Sequence, residues 1–186
     1  MTEIDKTIKP TKLLWVDLEM TGLDPDEHVI IEVAALVTDF DFKTLAKYDA
    51  VIKQSDEKMN NMNEWSAIQH KSSGLIEKIH QNGKIEKQVM NDLVEFIKIN
   101  FNGEPAILAG NSIYNDRKFI EKHWPEVTKL LHYRMLDVTS FKILMENKTC
   151  EKFEKSDSHR ASDDIEASID ELKFYLNNLL KISEKD

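Results

Sequence analysis

The first apolar run of the chain, Leu13-Leu14-Trp15-Val16, closes on Asp17-Leu18-Glu19. The run reads as a buried strand with two carboxylates at its end. Side chains alternate between the faces of a strand, so Asp17 and Glu19 share a face, their Cα atoms roughly 7 Å apart. Two anions so placed repel each other unless something positive stands between them. A divalent ion with oxygen ligands is the simplest such object. The turn Thr21-Gly22-Leu23-Asp24-Pro25 follows at once. The pair therefore falls at a strand end, where sites on α/β sheets collect. A solvated strand end with two surface acids reads equally well from this tripeptide alone.

Two later stretches carry related chemistry. Asp116 follows the Gly110-Asn111 turn, near the start of a helix. The helix macrodipole already accounts for an acid there. His159-Arg160-Ala161-Ser162-Asp163-Asp164 opens the C-terminal helix. Asp164 precedes the core residue Ile165, and its helical neighbours Ala161 and Ser168 are small, which leaves room for a ligand. Asp163 suits the helix N-terminus. His159 stands in a polar loop, where a histidine is usually only solvated. It differs from His28, His70, His80, His123 and His132 by lying five residues before an inward-facing aspartate.

The elements that must position these residues follow from periodicity. Val29 to Phe40 and Leu45 to Ile52 read as second and third strands, close enough to pair as an antiparallel hairpin. Ser55 to Ser73 is broken and polar, with short helical turns around Trp65. Ser72 or Ser73 is placed to cap a short helix holding Leu75, Ile76 and Ile79. Ile85, Val89, Leu93, Phe96 and Ile97 keep helical spacing, so Lys84 to Asn100 reads as an amphipathic helix. Ala106 to Ala109 is a short buried strand. A helix from Asn115 to Trp124 is interrupted by Pro125. Tyr133 to Val138 reads as a fifth strand, and Thr139 to Glu146 as a helix. A polar loop, Asn147 to Ser158, leads into a long helix with the stripe Ile165, Ile169, Leu172, Leu176 and Leu179. The order implies an α/β chain, a mixed sheet flanked by helices in a single domain over 1–186 with its core at about 12–181.

The charge is −9, from 25 bases and 34 acids. Long nucleic acid gripped by backbone charge needs clustered Lys and Arg, so that class is disfavoured. A short substrate needs few phosphate contacts and stays open. Cys150 is the only cysteine and pairs with nothing internally. The polar stretch Met1 to Lys12 lacks a signal-peptide core, and no apolar run approaches the ~20 residues of a membrane span. These features point to a cytoplasmic protein.

Taken in order, Asp17-Leu18-Glu19-Met20-Thr21-Gly22, then Gly110-Asn111-Ser112 with Asp116, then His159 and Asp164, resemble the DEDDh 3′-to-5′ exonuclease pattern. Within that superfamily the chain is most similar to the oligoribonucleases, from about Leu13 to Leu180. Ile30-Ile31-Glu32-Val33, Gln54-Ser55-Asp56-Glu57, Ser73-Gly74-Leu75 and His132-Tyr133-Arg134-Met135-Leu136-Asp137-Val138 support it. The resemblance implies a ribonuclease-H-like five-stranded fold. It also implies that Asp17, Glu19, Asp116 and Asp164 hold two divalent ions, Mg²⁺ or Mn²⁺, with His159 as general base. Leu18, Trp65, His70 and Ser112 become substrate contacts. Tyr133, Arg134 and Thr139 become contributions from the second subunit of a homodimer. The implied substrate is short single-stranded RNA, down to dinucleotides. Other readings are a general exonuclease of the same superfamily, proofreading or RNA-trimming, and a non-catalytic nucleic-acid-binding module. Glu32, an acid inside an apolar strand, is left between a metal-site and an edge position.

Overall fold

The computed structural model describes residues 10–149, 152–154 and 160–183. Its centre is a five-stranded sheet in the order β3-β2-β1-β4-β5. The strands are β1 (Lys12–Met20), β2 (Ile30–Asp39), β3 (Thr44–Val51), β4 (Ala106–Gly110) and β5 (Leu131–Asp137). β2 runs antiparallel to β1 and to β3, whereas β4 runs parallel to β1 and to β5. The expected mixed sheet flanked by helices is the observed one.

Alternation along β1 sorts the core into two layers. Leu14, Val16 and Leu18 point to one face, where they meet α4 (Glu86–Phe101) and α5 (Tyr114–His123). Leu13 and Trp15 point to the other, against α7 (Val138–Thr149) and α8 (Ala161–Ser183). The α8 stripe predicted from spacing is the one that packs, through Ile165, Ile169 and Leu172. Asp17 and Glu19 continue the odd-numbered row, so they face α8. The sheet thus presents both carboxylates to the helix that carries Asp164.

Several local readings change. β1 continues through Asp17 and Glu19 to Met20, so the carboxylates lie within the strand. A register shift against β2 falls between Glu19 and Met20. Such irregularities re-aim side chains near functional sites. The Trp65 region forms α1 (Asp56–Asn60) and α2 (Glu64–Ser72). Ser72 ends α2 and Ser73 is its C-cap, so neither caps α3 (Leu75–Asn82). Gly74 does, at φ 72°, a left-handed conformation that glycine adopts without a Cβ penalty. Pro125 starts α6 (Pro125–Thr128), where its missing N–H costs nothing. α7 runs to Thr149, so residues 147–149 are helical rather than loop. Among the described residues no helix is long and apolar enough to cross a membrane.

Candidate metal centre

Three elements converge at the C-terminal end of β1. Asp17 and Glu19 come from β1, and Asp164 from the first turn of α8. One carboxylate oxygen of each lies within 4.8 Å of the others. Asp116, in the first turn of α5, reaches the same strand. It is buried, and its Oδ1 accepts the Leu18 N–H at 3.0 Å, on the peptide between the two β1 carboxylates.

Burial and like charge together set the electrostatics of this cluster. Burial pushes the Glu19 carboxyl up to about 8, and the charges of Asp164, Glu32 and Asp116 add to the rise, opposed by Arg160. Burial also raises Asp116, against the lowering effect of the Leu18 N–H. The donors are all hard oxygens, the set that divalent cations such as Mg²⁺ and Mn²⁺ favour. The residues present therefore fit a divalent metal.

The loops around the cluster are held by polar bonds. Ser112, at φ 49°, gives its N–H to Asp137 Oδ1 and Thr139 Oγ1, both at 3.0 Å. Its hydroxyl lies 3.1 Å from Thr139 Oγ1. Ser112 and Thr139 of the same chain are thus partners of each other. Asn111 donates to Ser168 Oγ at 3.0 Å and to the buried Glu171 at 2.8 Å. Ser168 in turn donates to the Asp164 carbonyl at 2.7 Å. This network ties α8 to the loop that leads to Asp116, and nothing in the local sequence around either partner announces it.

The other candidates occupy distinct places. Leu18 is packed in the core. His70 is buried on α2; its Nε2 donates to the Met20 carbonyl at 2.8 Å, and its Nδ1 lies 3.7 Å from Glu19 Oε2. Trp65, on the same helix, is 65% exposed. The Asn63 N–H that donates to the Thr21 carbonyl fixes the start of α2 to the end of β1. Tyr133 and Arg134 are exposed on β5, with the guanidinium 5.2 Å from the ring centroid. His159 lies outside the described residues.

Residues 14–172 match the RNase_T exonuclease family. An oligoribonuclease of Francisella tularensis subsp. novicida is 44% identical over 172 residues, covering 91% of this chain and 97% of that protein. An oligoribonuclease of Pseudomonas syringae is 42% identical over 171 residues, covering 91% and 96%. E. coli exonuclease I in complex with a dT13 oligonucleotide has the same fold, with a TM-score of 0.66 at 12% identity. That alignment covers 95% of this chain and 43% of exonuclease I, so the chain spans less than half of that larger protein. With carboxylates gathered at the end of β1 and relatives aligned nearly end to end, the chain belongs to the oligoribonucleases of the exonuclease family.

Proposed function

We propose that this protein removes 5′-mononucleotides from the 3′ end of short RNA, down to dinucleotides, with two divalent ions per site, Mg²⁺ or Mn²⁺. The observation that carries the reading is the approach of Asp17, Glu19 and Asp164 within 4.8 Å, with Asp116 hydrogen-bonded to the intervening peptide. When bound, the ions supply water activation and neutralise charge in the in-line transition state.

The chain's own residues do the rest. Asp17, Glu19, Asp116 and Asp164 hold the metals. His159 takes the proton of the attacking water, a role suited to an imidazole with an ordinary pKa of ~6.5. Ser112 and His70 meet the terminal sugar and phosphate. Trp65 offers its exposed ring for base stacking, worth ~1–3 kcal/mol per base. Leu18, whose side chain packs in the core, meets the terminal base through its backbone position between the two β1 carboxylates. Tyr133 and Arg134 complete the neighbouring site of a homodimer, and so close the pocket to long strands, whereas Thr139, bonded to Ser112 of its own chain, backs the pocket of that chain instead.

Turnover of a dinucleotide with Mg²⁺ or Mn²⁺, and its loss in chelator, tests the reading. Equal or better kcat/KM on a chain several times longer would favour a general exonuclease. Binding without turnover would favour a non-catalytic module. His159→Ala is expected to retain metal affinity and lose about 10²–10⁴-fold in rate, the usual share of general-base catalysis. A loss below about tenfold would remove His159 from that role.

A further inference from the structure

Glu32 interrupts an apolar stretch of β2 and is 2% exposed. The antiparallel register sets it directly opposite Glu19. Like charges directly opposite on one sheet face destabilise the pair. A hydrophobic residue at this position would serve the sheet as well, because a buried ion pair is a weak source of stability. The partners of Glu32 show what its charge does instead.

Arg160 reaches Glu32 with two bonds, Nη2 to Oε1 at 2.6 Å and Nε to Oε2 at 3.2 Å. This is the forked guanidinium–carboxylate contact, which fixes orientation as well as charge. Arg160 stands at the head of α8. Its carbonyl accepts the N–H of Asp163 and of Asp164, both at 3.0 Å. The first turn of α8, which carries Asp164, therefore hangs from a residue clamped to β2. Lys78 of α3 also reaches Glu32 Oε1, at 3.2 Å, but its helix carries no residue of the metal centre.

We propose that Glu32 is a positioning residue, whose two-point grip on Arg160 fixes the first turn of α8 so that Asp164 is held against Asp17 and Glu19. The proposal rests on reading that trio as the metal centre of a nuclease. Glu32 is then not a ligand. It acts through Arg160, tying the strand beside β1 to the helix that supplies the third carboxylate.

The test compares Glu32→Gln, Arg160→Met, Arg160→Lys and Lys78→Met in the full chain. Each is measured for Mn²⁺ binding without substrate, for kcat and KM on a dinucleotide at saturating Mn²⁺, and for thermal unfolding. Glu32→Gln and Arg160→Met are expected to weaken Mn²⁺ binding about 10–100-fold, the usual cost of losing a residue that orients a metal ligand. Their kcat falls while KM changes little, and the double variant is no worse than either single one. Arg160→Lys does not restore either quantity, because Lys keeps the charge without the fork. Lys78→Met, which removes a single-point contact from a helix that carries no residue of the metal centre, stays within about twofold of wild type.

Several results would overturn the proposal. Rescue by Arg160→Lys would mean that charge near Glu19 is all that matters. Equal losses in Lys78→Met would mean that Glu32 needs only neutralisation. Weakened Mn²⁺ binding in Glu32→Gln with none in Arg160→Met would make Glu32 a ligand. If Glu32→Gln does not fold, Arg160→Met carries the test, since its side chain is only partly buried. A wild type that binds Mn²⁺ but leaves dinucleotides intact would sink the nuclease reading alone, and the binding isotherms would still judge the clamp.

Discussion

Glu19 is the residue from which a pH dependence of the candidate metal centre is expected. Its carboxyl is raised from 4.5 to about 8, first by burial and then by Asp164, Glu32 and Asp116. A carboxyl raised in the folded state binds its proton there more tightly than in the unfolded chain. Its contribution to stability is therefore complete below about 4.5 and is lost as pH rises through about 8. Asp116 is shifted the same way, so the two effects add in sign. A divalent cation takes the place of the proton. Mn²⁺ binding at pH 7 is thus expected to release protons, read by calorimetry in two buffers of different ionisation enthalpy. Apparent affinity should rise up to about tenfold per pH unit for each proton released. Binding that is independent of buffer and pH would place Glu19 outside the metal centre. The same repulsion governs the aspartates. Asp17→Asn and Asp116→Asn are expected to abolish turnover and weaken Mn²⁺ binding, yet to leave metal-free thermal stability unchanged or higher. In Asp116→Asn the amide oxygen of the new side chain would still accept the Leu18 N–H. A large loss of metal-free stability in both variants would show the carboxylates serving the fold instead.

Elements were legible in the sequence wherever one face was apolar and periodic. The rows Leu14-Val16 and Leu13-Trp15 follow from alternation alone, and so does the shared face of Asp17 and Glu19. The stripe from Ile165 to Leu172 likewise foretold which side of α8 packs. Contacts between distant segments were not legible. Leu18 and Asp116 are 98 residues apart, and Arg160 and Glu32 are 128 apart. Periodicity reports the face a residue takes, not the partner that reaches it. Glu32 was visible as an anomaly in an apolar strand, but its cation came from the far end of the chain. Ser72 and Ser73 misled because capping chemistry suits either end of a connection, and α2 had already claimed both. Gly110 shows how closely the elements meet at the site. A Cβ there would stand 3.0 Å from the Val16 carbonyl oxygen and from Ile113 Cδ1. Gly110→Ala is therefore expected to push β4 away from β1, costing about 1–3 kcal/mol as overpacking usually does. Because β4 leads to Ser112 and Asp116, kcat should fall as well. Denaturant unfolding and dinucleotide turnover check both, and unchanged values would mean that the strands part without strain.

At the scale of the whole molecule, a net charge of −9 leaves little general attraction for a long polyanion. Affinity for RNA must come from the site itself, from the metals and from a few local cations. Arg134 is the cation best placed for such a role under the proposed function. It lies on β5, an edge strand that pairs only with β4 among the described residues. It stands exposed beside Tyr133, whose own ring stacks on His132 at 4.5 Å between centroids. A terminal phosphate in a small pocket needs a cation, and Arg grips phosphate through two parallel bonds. In the proposed homodimer Arg134 serves the partner's site, and that arrangement has a numerical consequence. Arg134→Ala and Asp116→Asn are each expected to be inactive alone. When their subunits exchange at random, half of the dimers are mixed. Each mixed dimer has one site with both defects and one with neither, as two-fold symmetry requires. About a quarter of wild-type activity should therefore return on mixing. If Arg134 instead serves the site of its own subunit, every site keeps one defect and mixing restores nothing. Subunit exchange is followed independently, by energy transfer between labelled copies, so that a lack of recovery is not mistaken for a lack of exchange. Exchange without recovery would remove the shared site from the proposed function.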